Sequence, residues 1–483
     1  MEKRSFSDGS RSGGSKLIGG SRSFGRSGPT EESSSTESSG FTGKSGPIEV
    51  DFLLKNAGSL VTIKDEDDDD AKGLGLITDG SVAAHEGVIV AVGTTAEIEK
   101  AFKDGVFVLR NDATVFDASG CLVTPGLVDA HTHLIFAGWR AEEFALRLKG
   151  ASYLDILARG GGILSTVRAT RRASEDELFL LGMDRLDQML LCGTTTVEVK
   201  SGYGLSTEDE IKSLRVAARL GREHPADVIP TFLGAHAIPE EYAGNVEGYI
   251  EVLVSEMIPR VAEERLAKFV DVFCEEGVFS VDQSRRILSS AKDYGFGLKI
   301  HADELSPLGG AVLAAELDAV SADHLVMVDE RGIRYMAEKK VSAVLLPGTS
   351  FFLAMDRYAP ARRIIEEGVP LALATDFNPG TCTIQSLPLV MGIACLRMGL
   401  SPEEVIKACT LGAARALGME EEIGSLEAKK AADMVVFDVP SFHHLPYRFG
   451  ANLVKGVIKR GKIVVKDGCL TYARSQPGTR SDM

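Results

Sequence analysis

A chain of 483 residues can build one large domain with a satellite, or two or three small ones. Hydrophobic residues make up 44% and charged residues 25%, the balance of a soluble globular protein, and the formal net charge of −16 argues against a nucleic-acid binder or a cationic membrane-surface protein. No apolar run approaches the roughly 20 residues a membrane span needs; the most apolar region, AVLLPGTSFFLAM at 343–355, is broken by Pro347 and Gly348.

Residues 1–47 are rich in Ser, Gly and Arg and nearly free of large apolar side chains. Such a segment cannot bury enough surface to order itself, so a disordered tail is expected. A transit peptide is the alternative, against which stand Glu2, Asp8 and the lack of an amphipathic arginine face. From Ile48 the texture changes to short β-branched runs broken by glycine, which predicts a small β domain over 48–124. Within it, KDEDDDDAKG (64–73) is a block of like charges, without the alternate acidic positions, glycine turn and distal glutamate of a calcium loop. A solvated loop is the reading it supports.

After Leu127, strand-like and helix-like pieces alternate for nearly 300 residues. GLVDAHTHLIF, TTTVEVKSGYG, VIPTFLGAHA, FVDVFCEEG, GLKIHADEL, AVSADHL, SAVLLPG and PLALATD read as strands. Segments such as EDELFLLGMDRLDQMLLCG and DEIKSLRVAARLGREH carry apolar residues at helical spacing between them. Eight apolar strands separated by helices predict a parallel (β/α)8 TIM-like barrel over 125–420. An open doubly wound sheet would alternate too, but no G-x-G-x-x-G turn follows an early strand. From 421 to 483 the chain returns to β-rich, glycine-punctuated texture. The predicted architecture is therefore a barrel inserted into a small β-sandwich domain made from both chain ends.

Barrel chemistry sits where the strands end at their C-termini. There the sequence places His131, His133, His236, His301, His324 and Asp376, which take in five of the nine histidines. His131 and His133 are two apart, so a strand would present both imidazoles on one face, to one ion or to solvent. One such histidine is more often structural; five at corresponding strand ends point to a metal site. His85, His224, His443 and His444 fall in turns or the β domain. The seven cysteines are scattered, odd in number and lack a C-x-x-C pair, so reduced thiols in a cytoplasmic protein are expected and zinc would use nitrogen and oxygen ligands.

This set of residues resembles the metal-dependent amidohydrolase superfamily: H-x-H on the first strand, one histidine each on the fifth and sixth, and an aspartate on the eighth. VEVKSGYGL (197–205), FLGAHAIP (232–239), KIHADEL (299–305), SADHL (321–325) and TDFNPGT (375–381) are together similar to the imidazolonepropionase family. The resemblance spans roughly residues 50–470, including the terminal ADMVVFD strand at 432–438. It implies that His131, His133, His301 and Asp376 hold one ion per subunit, Zn2+ or Fe2+/Fe3+. Binuclear relatives use a bridging carboxylated lysine or a glutamate; Lys200 is the one lysine near a strand end of that kind, and a single metal is the reading adopted. The implied reaction opens the cyclic amide of 4-imidazolone-5-propanoate to N-formimidoyl-L-glutamate. An ion that brings the pKa of water from 15.7 toward roughly 7 supplies the nucleophile that an amide demands.

By the same matching, Glu304 or Asp376 acts as general base, Glu304 also touching a ring nitrogen. His324 polarises the carbonyl or is structural. Arg140 meets the propanoate in a two-bond fork. Tyr203 and His236 contact the ring, and Asn378, Gly380 and Thr381 hold polar groups. The resemblance also suggests a homodimer. The rival readings are another enzyme of the superfamily, such as a nucleobase deaminase, which would not need Arg140 and the SGYG loop in this form, and a non-catalytic scaffold, which would have lost ligands.

Overall fold

The structure is a computed structural model that describes residues 46–64, 73–151, 155 and 160–473. The tail up to residue 45 and the acidic run at 65–70 lie outside the described residues. Five strands open the fold: β1 (Ile48–Val61), β2 (Leu76–His85), β3 (Val88–Thr94), β4 (Phe107–Asp117) and β5 (Leu122–Pro125). Eight parallel strands follow, β6 (Leu127–Asp129), β7 (Thr194–Lys200), β8 (Asp227–Ala235), β9 (Phe269–Cys274), β10 (Gly297–Ala302), β11 (Ser321–His324), β12 (Ser342–Leu345) and β13 (Leu371–Leu373). Four more close the chain: β14 (Met434–Phe437), β15 (Val454–Lys459), β16 (Lys462–Lys466) and β17 (Cys469–Leu470).

The two chain ends form one hydrogen-bonded sheet, in the order β17-β16-β15-β14-β5-β1-β2-β3, with β4 on β1. Its seam is the antiparallel pair of β14 with β5, Met434 opposite Pro125 and Phe437 opposite Leu122. Phe52, Leu54, Val82, Val123, Met434, Val436 and Ile458, drawn from both ends, bury themselves in one core. One residue past β5, the Gly126 N–H donates to the Asp433 carbonyl at 2.9 Å and the chain enters the barrel. The predicted barrel and β-rich part are thus both present, the latter as one nine-stranded sheet, eight strands in a continuous path and β4 off it, in place of the expected sandwich.

In the barrel, neighbouring strands pair in chain order from β6 to β13. The connecting helices form where the sequence caps them. Ser174 accepts from the Glu177 N–H before Glu175–Leu191, and Ser206 from the Asp209 N–H before Thr207–Glu223, each with acidic residues in the first turn. Gly193, at φ 95°, turns the first of these helices into β7, where a side chain would meet Val435.

The strand period explains the barrel's interior. On β7, Val197 and Val199 face the helices within an apolar cluster, while Glu198 and Lys200 point inward. On β10, Leu298, Ile300 and Ala302 face outward and Lys299 and His301 inward. The interior is therefore charged as well as apolar, and its charges lie in register: Lys299 opposite Asp271, His301 opposite Asp323.

One strand is shorter than its sequence suggests. β6 stops at Asp129, so His131 and His133 lie just past it rather than within it. The barrel closes there through irregular bonds: Thr132 bridges Phe377, the Asp376 N–H donates to the His131 carbonyl at 3.0 Å, and the His133 N–H to the Phe377 carbonyl at 2.9 Å. β13 is equally short, so the two ends meet as loops, and these loops carry the histidine pair and the aspartate. Among the described residues no helix is long and apolar enough to cross a membrane.

Candidate metal centre and active site

At the C-terminal ends of the strands, four side chains converge. His133 Nε2 lies 3.4 Å and His131 Nε2 3.6 Å from Asp376 Oδ1, and His301 Nε2 lies 3.5 Å from His133 Nε2. The donor atoms of His131, His133 and Asp376 fall within 4.8 Å of one another, as do those of His131, His301 and His324. All are buried. Burial, with the neighbouring imidazoles, keeps His131 well below its usual pKa and brings His133 down to about 4, so both are neutral bases at physiological pH. Burial opposes ionisation of Asp376, but the hydrogen bond from His133 and the adjoining histidines overrule it and bring its pKa to about 2.

Several features fit this quartet to a cation. His131 Nε2 is buried and has no hydrogen-bond partner. Two imidazole nitrogens face each other at 3.5 Å across an anionic carboxylate, an arrangement that a shared cation relieves. Three nitrogens and one carboxylate are the donor set of an open zinc or iron site.

Behind the ligands stand groups that the sequence reading passed over. Asp323 Oδ2 bonds His131 Nδ1 at 2.6 Å, and Asp271 Oδ2 lies 3.0 Å from His301 Nδ1. The first bond fixes which ring nitrogen of His131 faces the centre, and the second carboxylate stands at ion-pair distance behind His301. Thr349 Oγ1 donates to Asp376 Oδ2 at 2.5 Å, leaving Oδ1 for the cluster. Asp129 holds the following turn by accepting from the Thr375 N–H and hydroxyl. Arg185 donates to the carbonyls of Leu134 and Phe136 and stacks on the Phe136 ring, bracing the loop after the histidine pair. A polar residue inside an apolar strand (the D of FVDVF, the D of SADHL) was the available signal.

The remaining site residues surround the quartet. His236 stacks on His133 at 4.9 Å between ring centroids, and its Nδ1 donates to the Gly202 carbonyl at 3.0 Å. Tyr203 is buried 5.4 Å from His236 and 6.0 Å from His133, ring to ring. Glu210 cradles its loop, accepting from the N–H groups of Gly202, Gly204 and Leu205. Glu304 Oε1 lies 3.6 Å from His324 Nδ1, and its side chain is 13% exposed. Burial, with repulsion from Asp376, pushes the Glu304 pKa up to about 8. His324 takes φ 74°, a conformation rare outside glycine that the surrounding structure must hold in place.

Arg140 reaches this site from its loop. Its guanidinium lies so close over Gly380 that a Cβ there would fall 0.9 Å from Nη2. Its Nε is buried without a hydrogen-bond partner. Asn378 spends its amide within the loop, accepting from the N–H groups of Gly380 and Thr381 and donating to the Asp376 carbonyl and the Thr381 hydroxyl. Gly380→Ala is expected to displace Arg140 and raise KM with metal content unchanged, read from steady-state kinetics beside metal analysis. Lys200, considered above as a bridging ligand, lies beneath the site with its Nζ 2.8 Å from Asp271 and 2.9 Å from Glu198. Burial alone would discharge it; Asp271, Glu198 and Asp323 outweigh burial and raise its pKa, leaving an ammonium in place of the free amine that carboxylation needs. His224 is far from this chemistry, buried against Asp187 and Tyr472.

Residues 122–464 match the model of the amidohydrolase family. The chain is 53% identical to an imidazolonepropionase of Symbiobacterium thermophilum over 422 residues, 87% of this chain and 98% of that protein. It is 50% identical to an imidazolonepropionase of Alkaliphilus oremlandii over 87% of this chain and 99% of that protein. Among solved structures, an adenosine deaminase from Xanthomonas campestris with bound zinc superposes with TM-score 0.64 at 22% identity, over 88% of this chain and 95% of that one. The guanine deaminase of E. coli superposes with TM-score 0.62 at 16% identity, over 86% and 99%. These two likenesses speak to the fold.

Proposed function

This chain belongs to the amidohydrolase family, alongside the imidazolonepropionases, and we propose that it hydrolyses the cyclic amide of 4-imidazolone-5-propanoate to N-formimidoyl-L-glutamate. The observation that carries the proposal is likeness to imidazolonepropionases at about half identity over almost their whole length. The buried, unbonded Nε of Arg140, packed over Gly380 in the loop after Asp376, supports the choice of an anionic substrate.

His131, His133, His301 and Asp376 would hold one Zn2+ or iron ion per subunit. When bound, that ion supplies Lewis acidity and lowers the pKa of water at the site. The protein's own groups do the rest. Arg140 pairs with the propanoate and orients the ring, with Tyr203 and His236 against its faces and the Asn378–Thr381 loop closing one side. Glu304 takes the proton from the attacking water and returns it to the ring nitrogen as the C–N bond breaks. Asp376 is the second carboxylate within reach of that water. His324, neutral because burial lowers its pKa, stabilises the charge that develops on the carbonyl oxygen. We extend the same reading to a cytoplasmic homodimer, and to a division of the chain into β domain and barrel at 124/125 and 420/421.

Arg140→Ala tests the substrate assignment. Loss of a buried, charge-assisted pair costs about 2–4 kcal/mol, so KM is expected to rise roughly 30- to 1000-fold, with the larger effect there rather than in kcat. Lysine at this position is expected to recover only part, because a point charge does not reproduce the fork. An unchanged KM would remove Arg140 from the substrate site. Ammonia release from adenine, guanine or cytosine, without turnover of the imidazolone, would favour the deaminase reading instead.

A further inference from the structure

Beneath the quartet the barrel holds five charged side chains, Glu198, Lys200, Asp271, Lys299 and Asp323, all fully buried. Placing charge in a protein interior is costly unless the charges are paired and hydrogen-bonded, so the arrangement invites a reason. Lys200 Nζ meets three carboxylates: Asp271 Oδ2 at 2.8 Å, Glu198 Oε1 at 2.9 Å and Asp323 Oδ2 at 3.5 Å. Two of these oxygens are the ones turned to the ligand histidines. Asp271 Oδ2 is 3.0 Å from His301 Nδ1, and Asp323 Oδ2 is 2.6 Å from His131 Nδ1.

One ammonium therefore stands between the two carboxylates that orient two ligands arriving from opposite parts of the barrel, one after β6 and one on β10. The same residue touches the histidine pair a second way. Its backbone N–H donates at 2.9 Å to the carbonyl of Thr132, the residue between His131 and His133. Lys299 is the natural comparison. It is equally buried, but its Nζ meets Glu198 at 3.4 Å and the Ala130 carbonyl at 3.3 Å, and neither group touches a ligand imidazole.

We propose that Lys200 is a positioning residue for the metal: by fixing Asp271 and Asp323 together it presents His131 and His301 to the ion with their Nε2 atoms inward. The proposal rests on the metal-site reading above and goes beyond it in naming a residue that touches neither ion nor substrate. Groups that orient ligands typically govern affinity by about 10- to 100-fold.

The test is titration of metal-stripped full-length protein with Zn2+ against a competing chelator, for wild type, Lys200→Met and Lys299→Met, with thermal melting of each metal-free protein alongside. Lys200→Met is expected to weaken Zn2+ binding about 10- to 100-fold, while Lys299→Met stays near the wild-type value despite a comparable loss of melting temperature. Equal weakening in both variants would mean that loss of a buried charge merely loosens the barrel, and overturns the proposal. Wild-type affinity in Lys200→Met overturns it as well. If Lys200→Met does not fold, the same ranking is read from Lys200→Arg against Lys299→Arg, which keep the charge and shift the donors. A wild-type protein that binds no Zn2+ fails the underlying metal reading, a result distinct from the ranking of the two lysines.

Discussion

Asp376→Ala is expected to abolish measurable turnover and to leave purified protein with little bound metal. Asp376 is the one carboxylate among the four donors, and its Oδ1 lies within 3.6 Å of two of the ligand nitrogens. The site also secures its ionisation, since its pKa is held near 2 against burial. Groups that merely orient ligands cost 10- to 100-fold when removed, so loss of a direct ligand should exceed about a thousandfold in kcat/KM. Metal analysis of the purified variant and its initial rate at saturating substrate check this together. Near-normal metal content with full activity would displace Asp376 from the centre.

Glu304→Gln carries the second largest expected loss. A positioned general base contributes about 10^2- to 10^4-fold, and the amide keeps the shape while losing the ability to take a proton. Burial and Asp376 raise the carboxyl to about 8, so it is protonated, and idle as a base, below that pH. A cation bound nearby favours the ionised form and moves the group down. Activity in the wild type should therefore climb with pH through the Glu304 pKa and level off above it. In Glu304→Gln, kcat falls and this acid limb disappears, while metal content is retained. A variant that is slow but keeps the acid limb would transfer the role of base to Asp376.

Much of this site is legible in the amino-acid sequence alone. His131, His133, His301 and Asp376 announce themselves because a histidine or aspartate closing an apolar strand has few structural reasons to be there, and the family motifs gave each a partner. The barrel was legible for a related reason: burial on both faces makes its strands continuous apolar runs. What escaped was the layer behind. Asp271 and Asp323 sit within those same runs, and a lone acidic letter in FVDVF or SADHL has no evident purpose until strand register brings it to a histidine from another strand. Lys200 was weighed as a ligand because it stood near a strand end, and only its three carboxylates reveal it as a buried counterion. The histidine pair seemed to lie inside a strand because its spacing alternates. Barrel closure decides otherwise, since the partner segment after β13 is a loop and regular pairing stops at Asp129.

The central claim is metal-dependent opening of the imidazolone ring. Its most direct test follows the loss of imidazolone ultraviolet absorbance on addition of purified protein, first as isolated, then after chelation, then after return of one equivalent of Zn2+ or Fe2+. The account predicts turnover that the chelator removes and the metal restores, with N-formimidoyl-L-glutamate as product. No loss of absorbance from a folded protein carrying one equivalent of metal would contradict it.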